Sequence, residues 1–371
     1  MRVVVPPASA RFAGVHLRDV VECVDVLVEP ERLTRPGWWA LVGEFEGRVR
    51  AWRFARASSD EPARATSAWH GPDPADWTTS MTRAQYVAAV QAVRERIRAG
   101  DVYQANLCRV LSAPLGAAGA EPDARALASV LAAGNPAPFA GHVHVPHGQA
   151  GVEPVWVVTA SPELFLRLED DVLTSSPIKG TAAVRDGLTP KDDAENVMIT
   201  DLVRNDLQHV CRAGTVEVTT LLGVEEHPGL VHLVSTVQGV LHPDVARSDD
   251  RWAQVLAATY PPGSVSGAPK SSALRVIDEL EPTPRGSYCG LVGWLHVADD
   301  GRTRAELAVG IRTFWWEADD EGAGRLRFGT GAGITWGSDP QAEWDETELK
   351  ATRLVGLAST SRPGTAPRVR D

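Results

Sequence analysis

Lysine is rare in this chain, and its few positions point to places where an amine could do chemistry. Of 37 basic residues only four are lysines, namely Lys179, Lys191, Lys270 and Lys350. Arginine keeps its proton at any useful pH, whereas a lysine can lose it and then attack carbon as a nucleophile. The composition therefore favours a chemical role for the lysines that remain.

One lysine follows a glutamate at a spacing that suits a hairpin. The segments Ser161-Pro162-Glu163 and Pro177-Ile178-Lys179-Gly180-Thr181 bracket the predicted hairpin, with the acid and the amine 16 residues apart. Against an apolar wall, the Lys179 amine could lose its charge and attack carbon while Glu163 moves protons. Taken alone, the pair is more typical of a surface salt bridge.

Two predicted helices each carry a pair of carboxylates on one face. Asp192 and Glu195 lie three residues apart in the first helix, and Glu343 and Glu346 do so in the second. Lys350 lies one turn further along the second face. Carboxylates from two helices, with room for water, suit a hard octahedral Mg²⁺ ion. Acids in a first helical turn also stabilise the helix dipole, so spacing alone leaves both interpretations open.

Two glycine-rich turns, at residues 261–270 and 329–333, could bring backbone N–H groups close to an anion. Neither is the phosphate loop Gly-x-x-x-x-Gly-Lys-Ser/Thr, and neither lies in a strand–Gly-x-Gly-x-x-Gly–helix unit. Nucleotide binding is therefore unsupported, while a carboxylate ligand and a plain turn both remain open.

The elements that must position these residues do not alternate strictly between strand and helix. Strands are predicted over 20–28, 38–42, 49–54, 139–174, 215–223, 287–297, 303–314 and 325–330. A helix is predicted over 83–99, with Thr82 as its cap and Gly100 as its stop, and an alanine-rich helix follows the loop at 116–123 and ends at Ala133. Further helices are predicted over 191–213, 248–260 and 269–281, and a last one from Ser338 or Asp339 to about 359. This order favours an α+β fold with antiparallel sheets over a doubly wound sheet.

Three segments are expected along the chain. Residues 1–80 read as a short β-rich region and linker, residues 81–359 as a catalytic domain, and residues 360–371 as a polar, disordered tail.

Composition excludes several classes of protein. The chain has 371 residues and a net charge of −11, which opposes nucleic-acid binding. It has no run of about 18 apolar residues that could span a membrane, and its first residues lack the pattern of a secretory signal. Four scattered cysteines without a Cys-x-x-Cys pair are typical of reduced thiols. We therefore expect a cytoplasmic protein with no nucleic-acid or membrane partner.

Together these segments resemble the chorismate-utilising enzymes, which include component I of anthranilate synthase and of aminodeoxychorismate synthase, isochorismate synthase and salicylate synthase. The matching segments follow the family order over about 80–358. They are Tyr103-Gln104-Ala105-Asn106-Leu107, Ser161 to Phe165, Pro177 to Thr181, Met198 to Leu207, His232-Leu233-Val234-Ser235, Gly263 to Lys270, Arg285-Gly286-Ser287-Tyr288, Ile311-Arg312-Thr313, and Gly331 through Glu346 to Lys350.

The resemblance implies a four-layer α/β/β/α core with two packed antiparallel sheets. It implies that Glu195 and Glu346 bind Mg²⁺, which would hold the ring carboxylate of chorismate, with Asp192 and Glu343 helping through waters. It places His232 near the departing 4-hydroxyl group. Around the substrate carboxylates it places Gly180, Thr181, Tyr288, Arg312, Gly331, Gly333 and Lys350.

Two positions indicate which reaction the resemblance implies. Relatives that use water have a lysine base where this chain has Gln104 in the substrate pocket, and glutamine cannot deprotonate water, which favours ammonia. Anthranilate synthases usually have Pro-Ile-Ala-Gly-Thr, whereas aminodeoxychorismate synthases have Pro-Ile-Lys-Gly-Thr, as here. The early region also lacks the Leu-Leu-Glu-Ser segment associated with tryptophan feedback. We expect synthesis of 4-amino-4-deoxychorismate. Anthranilate synthesis is the alternative, and a non-catalytic chorismate-binding subunit comes third.

The implied mechanism consists of two allylic displacements through a covalent adduct of Lys179. Lys179 adds at C2 as the 4-hydroxyl leaves with Glu163 as acid. Ammonia then adds at C4 and expels Lys179, with Glu163 as base. An ordinary lysine pKa of about 10.4 leaves little free amine at pH 7, so the pocket must lower it.

No cysteine lies in a Gly-x-Cys-x-Gly elbow, so we expect a separate glutamine amidotransferase subunit to supply ammonia. A pyridoxal-phosphate lyase would then complete 4-aminobenzoate for folate.

Overall fold

The structure is a computed structural model, and it describes residues 7–59, 68–116, 121–182, 184–227, 230–318 and 323–360. Its helices are α1 Arg83–Ala99, α2 Ala124–Gly134, α3 Pro190–Gln208, α4 Pro243–Ala246, α5 Arg251–Thr259, α6 Gly263–Ser266, α7 Lys270–Leu280 and α8 Pro340–Ala358. Its strands are β1 Ser9–Phe12, β2 Val15–Asp25, β3 Gly37–Gly43, β4 Val49–Ser58, β5 Thr78–Thr79, β6 Gln104–Pro114, β7 Phe139–Val145, β8 Val155–Ser161, β9 Leu164–Glu169, β10 Val172–Ser176, β11 Ile178–Ala182, β12 Glu217–His227, β13 Leu230–Val240, β14 Gly267–Ala268, β15 Leu291–Val297, β16 Thr303–Val309, β17 Thr313–Ala318 and β18 Gly324–Ile334.

Two antiparallel sheets share strand β1, which pairs with β2 on one side and with β7 on the other. From β2 the first sheet continues through β4, β3, β15, β16, β9, β10 and β13, and β13 also pairs with β11 and β12. From β7 the second sheet continues through β8, β17, β18 and β6, with β5 and β14 alongside β6. Antiparallel pairing throughout the described strands confirms the predicted α+β class.

Apolar side chains from both sheets meet in one core, and helices cover the sheets from outside. Trp39 of the first sheet and Val143 of the second belong to the same buried cluster. Helix α3 lies against β13, while α1, α2 and α8 lie against strands of the second sheet. Leu127 and Leu354 of α2 and α8 pack on Phe314 of β17 in a second cluster. The arrangement confirms the four-layer α/β/β/α core.

Helix α1 has the predicted ends. Thr82 caps it in a capping box with Gln85, and Gly100 ends it in the left-handed conformation with φ of 86°. Of the two candidate caps for the last helix, Asp339 is the one used, because its carboxylate accepts from the N–H groups of Gln341 and Ala342. These local signals are sufficient because a cap needs only residues within one helical turn.

Helix α3 ends at Gln208 rather than at residue 213 as predicted, because Cys211 forms a β-bridge with Leu241 that draws the chain away from the helix. The strand β6 has no counterpart among the predicted elements. Its first seven residues are all buried, so it lacks the alternation of apolar and polar residues that marks a half-buried strand.

The region predicted as residues 1–80 and the last described residue both contact the folded core. Strand β3 pairs along its whole length with β15 of the first sheet. The Thr360 N–H donates to the Pro72 carbonyl at 3.0 Å. Residues 361–371 of the predicted tail and 60–67 of the predicted linker lie outside the described residues. None of the described helices combines the length and the apolar character needed to cross a bilayer.

Candidate active site

The predicted site residues come from distant segments that converge. Lys179, Gly180 and Thr181 lie in β11, His232 in β13, Gln104 at the start of β6, Gly331 and Gly333 near the end of β18, and Glu163 between β8 and β9. The helical residues are Asp192 and Glu195 of α3, with Glu343, Glu346 and Lys350 of α8. Two neighbouring regions result. We call the group of Gln104, Glu163, Lys179 and Arg312 the reacting pocket, and the group of Glu195, Glu343 and Glu346 with Lys191 and Lys350 the carboxylate pocket.

Glu163 is almost completely buried, with 3% of its surface exposed. Its carboxylate accepts hydrogen bonds from the Ser264 hydroxyl and the Ile178 backbone N–H, and the charges of Lys179 and Arg312 act on it. Burial is the largest effect, and it raises the pKa of Glu163 to about 7 although these partners oppose it. A carboxyl group with that pKa can donate and accept a proton near neutral pH.

The Lys179 amine meets Gln104 at Gly333. A side-chain carbon at Gly333 would lie 3.1 Å from Lys179 Nζ and 2.3 Å from Gln104 Nε2, so any larger residue there would have to displace the Gln104 amide. Burial lowers the pKa of Lys179, and the neighbouring charge of Lys350 lowers it further, while Glu195 and Glu163 act in the opposite direction. Burial thus shifts the Lys179 amine toward its neutral form, which is the form that can act as a nucleophile.

The unpaired amide of Gln104 indicates that the pocket is suited to a polar ligand. It is fully buried, and neither its amide oxygen nor its amide nitrogen has a hydrogen-bond partner within the described ranges. A buried amide left unpaired costs about 1–3 kcal/mol, and native proteins rarely leave one. A polar ligand in the reacting pocket would remove that cost.

The backbone of β11 approaches helix α3 closely at Gly180. Gly180 has φ of 87°, and a side-chain carbon there would lie 2.8 Å from Cβ of Asp192. Thr181 follows and is aligned with His232 in β13. His232 is 2% exposed. The structure thus places Gly180, Thr181 and His232 on neighbouring strands.

Arg312 precedes β17 in a conformation that few side chains adopt. Its φ is 51°, and its carbonyl accepts from the Ala160 N–H at 3.0 Å. Burial lowers the pKa of Arg312, and the charge of Glu163 opposes that change. Unusual backbone conformations concentrate at functional sites, where the surrounding structure holds them in place.

Two lysines neutralise the carboxylate pocket. Lys350 Nζ donates to the Gly331 carbonyl at 3.1 Å and pairs with Glu346 Oε1 at 2.5 Å. Burial alone would raise the pKa of Glu346, but Lys350, followed by Lys179 and Lys191, outweighs it and lowers that pKa. Burial raises the pKa of Glu343. Lys191 Nζ lies 3.6 Å from Glu195 Oε1 and 3.9 Å from Glu343 Oε1.

The carboxylate pocket has the donors that Mg²⁺ takes. Glu195 Oε1 is buried and has no hydrogen-bond partner in the part of the chain that the structure describes. Over the same residues, no group of three or more His, Cys, Asp or Glu side chains could hold a metal unaided. Mg²⁺ usually takes only one or two protein carboxylates and keeps waters and substrate oxygens. Glu195 with Glu346 fits that pattern.

Two predicted site residues have structural partners of their own. Asp192 Oδ2 accepts from the Thr189 backbone N–H at 2.8 Å and so caps helix α3. The Tyr288 ring lies against Gly329, which precedes Gly331 and Gly333 in β18, and burial raises the pKa of Tyr288 well above the ordinary value. The roles of Asp192 and Tyr288 toward substrate therefore stay predictions.

Sequence reasoning assigned no specific role to four further polar side chains, of which three are buried and Lys270 is half-buried. Ser264 donates to Glu163, and its own carbonyl accepts from Asn106 Nδ2 at 3.1 Å. Behind them, Lys270 Nζ lies 2.6 Å from Asp206 Oδ2. All lie in segments that carry the family resemblance, and a polar residue inside an apolar stretch was the signal available. Only the fold shows that Ser264 contacts Glu163 and that Asn106 holds the Ser264 backbone.

The chain belongs to the family of chorismate binding enzymes, whose model matches residues 42–356. It is 33% identical over 324 residues to aminodeoxychorismate synthase component 1 of Salmonella typhimurium, covering 84% of this chain and 64% of that protein. It is 37% identical over 305 residues to anthranilate synthase component 1 of Streptomyces coelicolor, covering 79% and 54% respectively. The chain thus spans less than two thirds of the length of these curated relatives.

Solved structures share the fold over nearly the whole chain. A putative 2,3-dihydroxybenzoate-specific isochorismate synthase from Bacillus anthracis superposes with a TM-score of 0.73 at 22% identity, covering 95% of this chain and 96% of that one. Anthranilate synthase component I from Streptococcus pneumoniae has a TM-score of 0.70 at 24% identity, covering 95% and 91%.

Proposed function

We propose that this chain is component I of aminodeoxychorismate synthase and converts chorismate and ammonia to 4-amino-4-deoxychorismate, a precursor of 4-aminobenzoate and folate. The observation that carries the proposal is the pairing of Glu163 and Lys179 in one pocket. Burial raises the pKa of Glu163 to about 7 and lowers the pKa of Lys179. An acid and an amine shifted toward neutrality are what two successive displacements need.

In the first displacement, the lone pair of Lys179 Nζ forms a bond to C2 of chorismate. Both ring double bonds shift, and the C4–O bond breaks. The proton of Glu163 passes to the departing oxygen, which leaves as water. The products are a secondary ammonium adduct of Lys179 and an ionised Glu163.

In the second displacement, ammonia forms a bond to C4, the double bonds return, and the C2–N bond breaks with its electron pair going to Lys179. The new C4 ammonium group then gives a proton to Glu163. Both side chains thus regain their starting states, and the balance is chorismate plus ammonia to aminodeoxychorismate plus water. Gln104 cannot take a proton from water, so it does not promote a competing hydroxylation.

Charge complementarity supports the binding of a substrate with two carboxylates. Arg312 can form a bidentate pair with one carboxylate, and Lys350 beside Gly331 supplies a second cation. Mg²⁺ held by Glu195 and Glu346, with Asp192 and Glu343 acting through waters, would neutralise the ring carboxylate. His232 would border the departing hydroxyl group.

Ammonia needs a source, and we assign that role to a separate glutamine amidotransferase subunit in the cytoplasm. The four cysteines of the chain lie outside any nucleophile elbow, and Cys108, Cys211 and Cys289 are buried. Glutamine alone should not support turnover by the purified chain, whereas ammonium salt at alkaline pH should. Turnover with glutamine alone would contradict this partner.

Anthranilate synthesis is the second candidate, because the Streptomyces coelicolor anthranilate synthase is 37% identical over 305 residues. Mass spectrometry of products from chorismate, Mg²⁺ and ammonium salt separates the two. A product that keeps the enolpyruvyl group and carries an amino group at C4 supports the proposal. Anthranilate with pyruvate would replace it by the second candidate.

The covalent step has its own test. Wild-type chain mixed with chorismate and Mg²⁺ without ammonia, then quenched, should gain the mass of chorismate less water, and peptide mapping should locate that mass on Lys179. Lys179→Ala should gain nothing under the same conditions. Arg204→Gln, which removes an exposed cation of α3 outside both pockets, is the control and should still form the adduct. Wild-type protein that turns over chorismate with no adduct would contradict the Lys179 step.

A further inference from the structure

The proposed chemistry uses two of the four lysines and leaves Lys191 unexplained. Lys191 is the second residue of α3, where the positive end of the helix dipole opposes a cation. Its partner within the helix is Glu195, four residues later. That order, lysine before glutamate, is the weaker of the two for an i,i+4 pair. Local helix energetics therefore do not account for a lysine at this position.

A contact between helices accounts for it better. Lys191 Nζ lies 3.6 Å from Glu195 Oε1 on α3 and 3.9 Å from Glu343 Oε1 on α8. The two carboxylates are mostly buried, with 17% and 7% of their side chains exposed, whereas 55% of the lysine side chain is exposed. An exposed ammonium thus lies between two mostly buried carboxylates.

Lys350 makes a useful comparison within the same pocket. Its amine is held at two points, at 3.1 Å by the Gly331 carbonyl and at 2.5 Å by Glu346. Both Lys191 contacts exceed hydrogen-bond length, and the Glu195 oxygen that Lys191 approaches has no hydrogen-bond partner in the described ranges. Of the two lysines, Lys191 therefore loses fewer interactions when its ammonium group leaves the carboxylate pocket.

We propose that the Lys191 ammonium stands in for the metal, bridging Glu195 and Glu343 in the metal-free protein and swinging into solvent when Mg²⁺ binds. The inference rests on the proposed Mg²⁺ site of the proposed function. Without a cation, carboxylates from α3 and α8 would repel each other across the pocket, and the lysine relieves that repulsion. With Mg²⁺ present, the ammonium and the metal repel each other and compete for the same oxygens.

The test is the affinity for Mg²⁺ alone, measured by isothermal titration calorimetry with MgCl₂ at constant ionic strength, because salt screens such charges. Lys191→Met should bind Mg²⁺ about three- to tenfold more tightly than wild type, since a competing charge a few ångströms away is gone. Lys191→Arg keeps the charge and should stay within about twofold of wild type. Arg204→Gln is the matched control, because Arg204 lies on α3 in an exposed pair with Asp201, and it should bind like wild type.

A second readout follows thermal unfolding without and with MgCl₂. Metal-free Lys191→Met should melt below wild type, and saturating Mg²⁺ should bring the two melting temperatures together. Equal or weaker Mg²⁺ binding by Lys191→Met, while wild type binds normally, would overturn the role of Lys191 and leave the metal site standing. No saturable binding by wild type would overturn both. Amination measured separately would still report on the proposed function.

Discussion

The reacting pocket and the carboxylate pocket contain the same kinds of side chain, glutamate and lysine, but the pKa of Glu163 is raised whereas that of Glu346 is lowered. In the reacting pocket, burial raises the pKa of Glu163 to about 7 and lowers that of Lys179. In the carboxylate pocket, half of the Glu346 side chain is exposed, and Lys350 helps to lower its pKa. The two glutamates differ in pKa because desolvation disfavours the charged form of a carboxyl group, whereas a close counter-ion favours it.

The difference teaches what each pocket is suited to do. Groups with pKa values near neutrality can pass protons and attack carbon. Groups held in their charged forms can bind ions and anchor carboxylates. Substitutions in the two pockets should therefore affect different measurements.

The largest effect is expected for Lys179→Ala, which removes the nucleophile of the reacting pocket. Amination should fall about 10³–10⁴-fold, on the scale of losing a catalytic nucleophile. The dissociation constant for chorismate should change by less than about threefold, because the carboxylate anchors remain. Steady-state kinetics and equilibrium binding measure the two quantities. Near-normal turnover by Lys179→Ala would contradict the role of Lys179 as the nucleophile of the reacting pocket.

Glu163→Gln should lower the rate of adduct formation about 10²–10³-fold. In wild type the first step needs Glu163 protonated, so its rate should fall as pH rises through about 7, the pKa of that group. The glutamine variant should lack that descending limb. Single-turnover mass spectrometry across pH 5–9 tests both points. A variant that kept the limb would assign it to another group.

Glu163→Gln should also stabilise the fold at alkaline pH. The pKa of Glu163 is about 7 in the folded chain against an ordinary 4.5, so the unfolded chain loses its proton first as pH rises. Wild-type stability therefore falls between about pH 4.5 and 7. Above pH 7 the variant should gain about 1–3 kcal/mol in free energy of unfolding, and near pH 4 the gain should vanish. Urea denaturation at both pH values measures it, and an equal gain at both would contradict the cause.

The smallest effect is expected for Glu346→Gln in the carboxylate pocket. The concentration of Mg²⁺ needed for half-maximal amination should rise about tenfold, which is typical for weakening a metal site. The descending limb near pH 7 should stay in place. Asp345→Asn is the control, because Asp345 is exposed on the same helix and pairs with Arg83. Loss of the pH limb in Glu346→Gln would mean that the pockets do not act separately.

Sequence reasoning did best where the physical cause is local. The N-terminal cap of α1 needs only residues 82–85, and Thr82 was correctly predicted as that cap. Prediction from sequence failed where a distant strand intervenes, because the bridge between Cys211 and Leu241 ends α3 earlier than predicted. In the site, the motifs contained the Glu163 and Lys179 pair, but their spacing taken alone favoured an exposed salt bridge.

The sequence by itself determined which side chains are available, their order, their helix caps and the family to which the motifs belong. Only the tertiary structure decided how much water each side chain keeps. Ser264 reaches Glu163, and Glu343 reaches Lys191, across long stretches of chain. The pKa of a carboxyl or an amine depends on the atoms around it, not on its neighbours in sequence. For that reason the proton chemistry of this pocket emerges only from the fold.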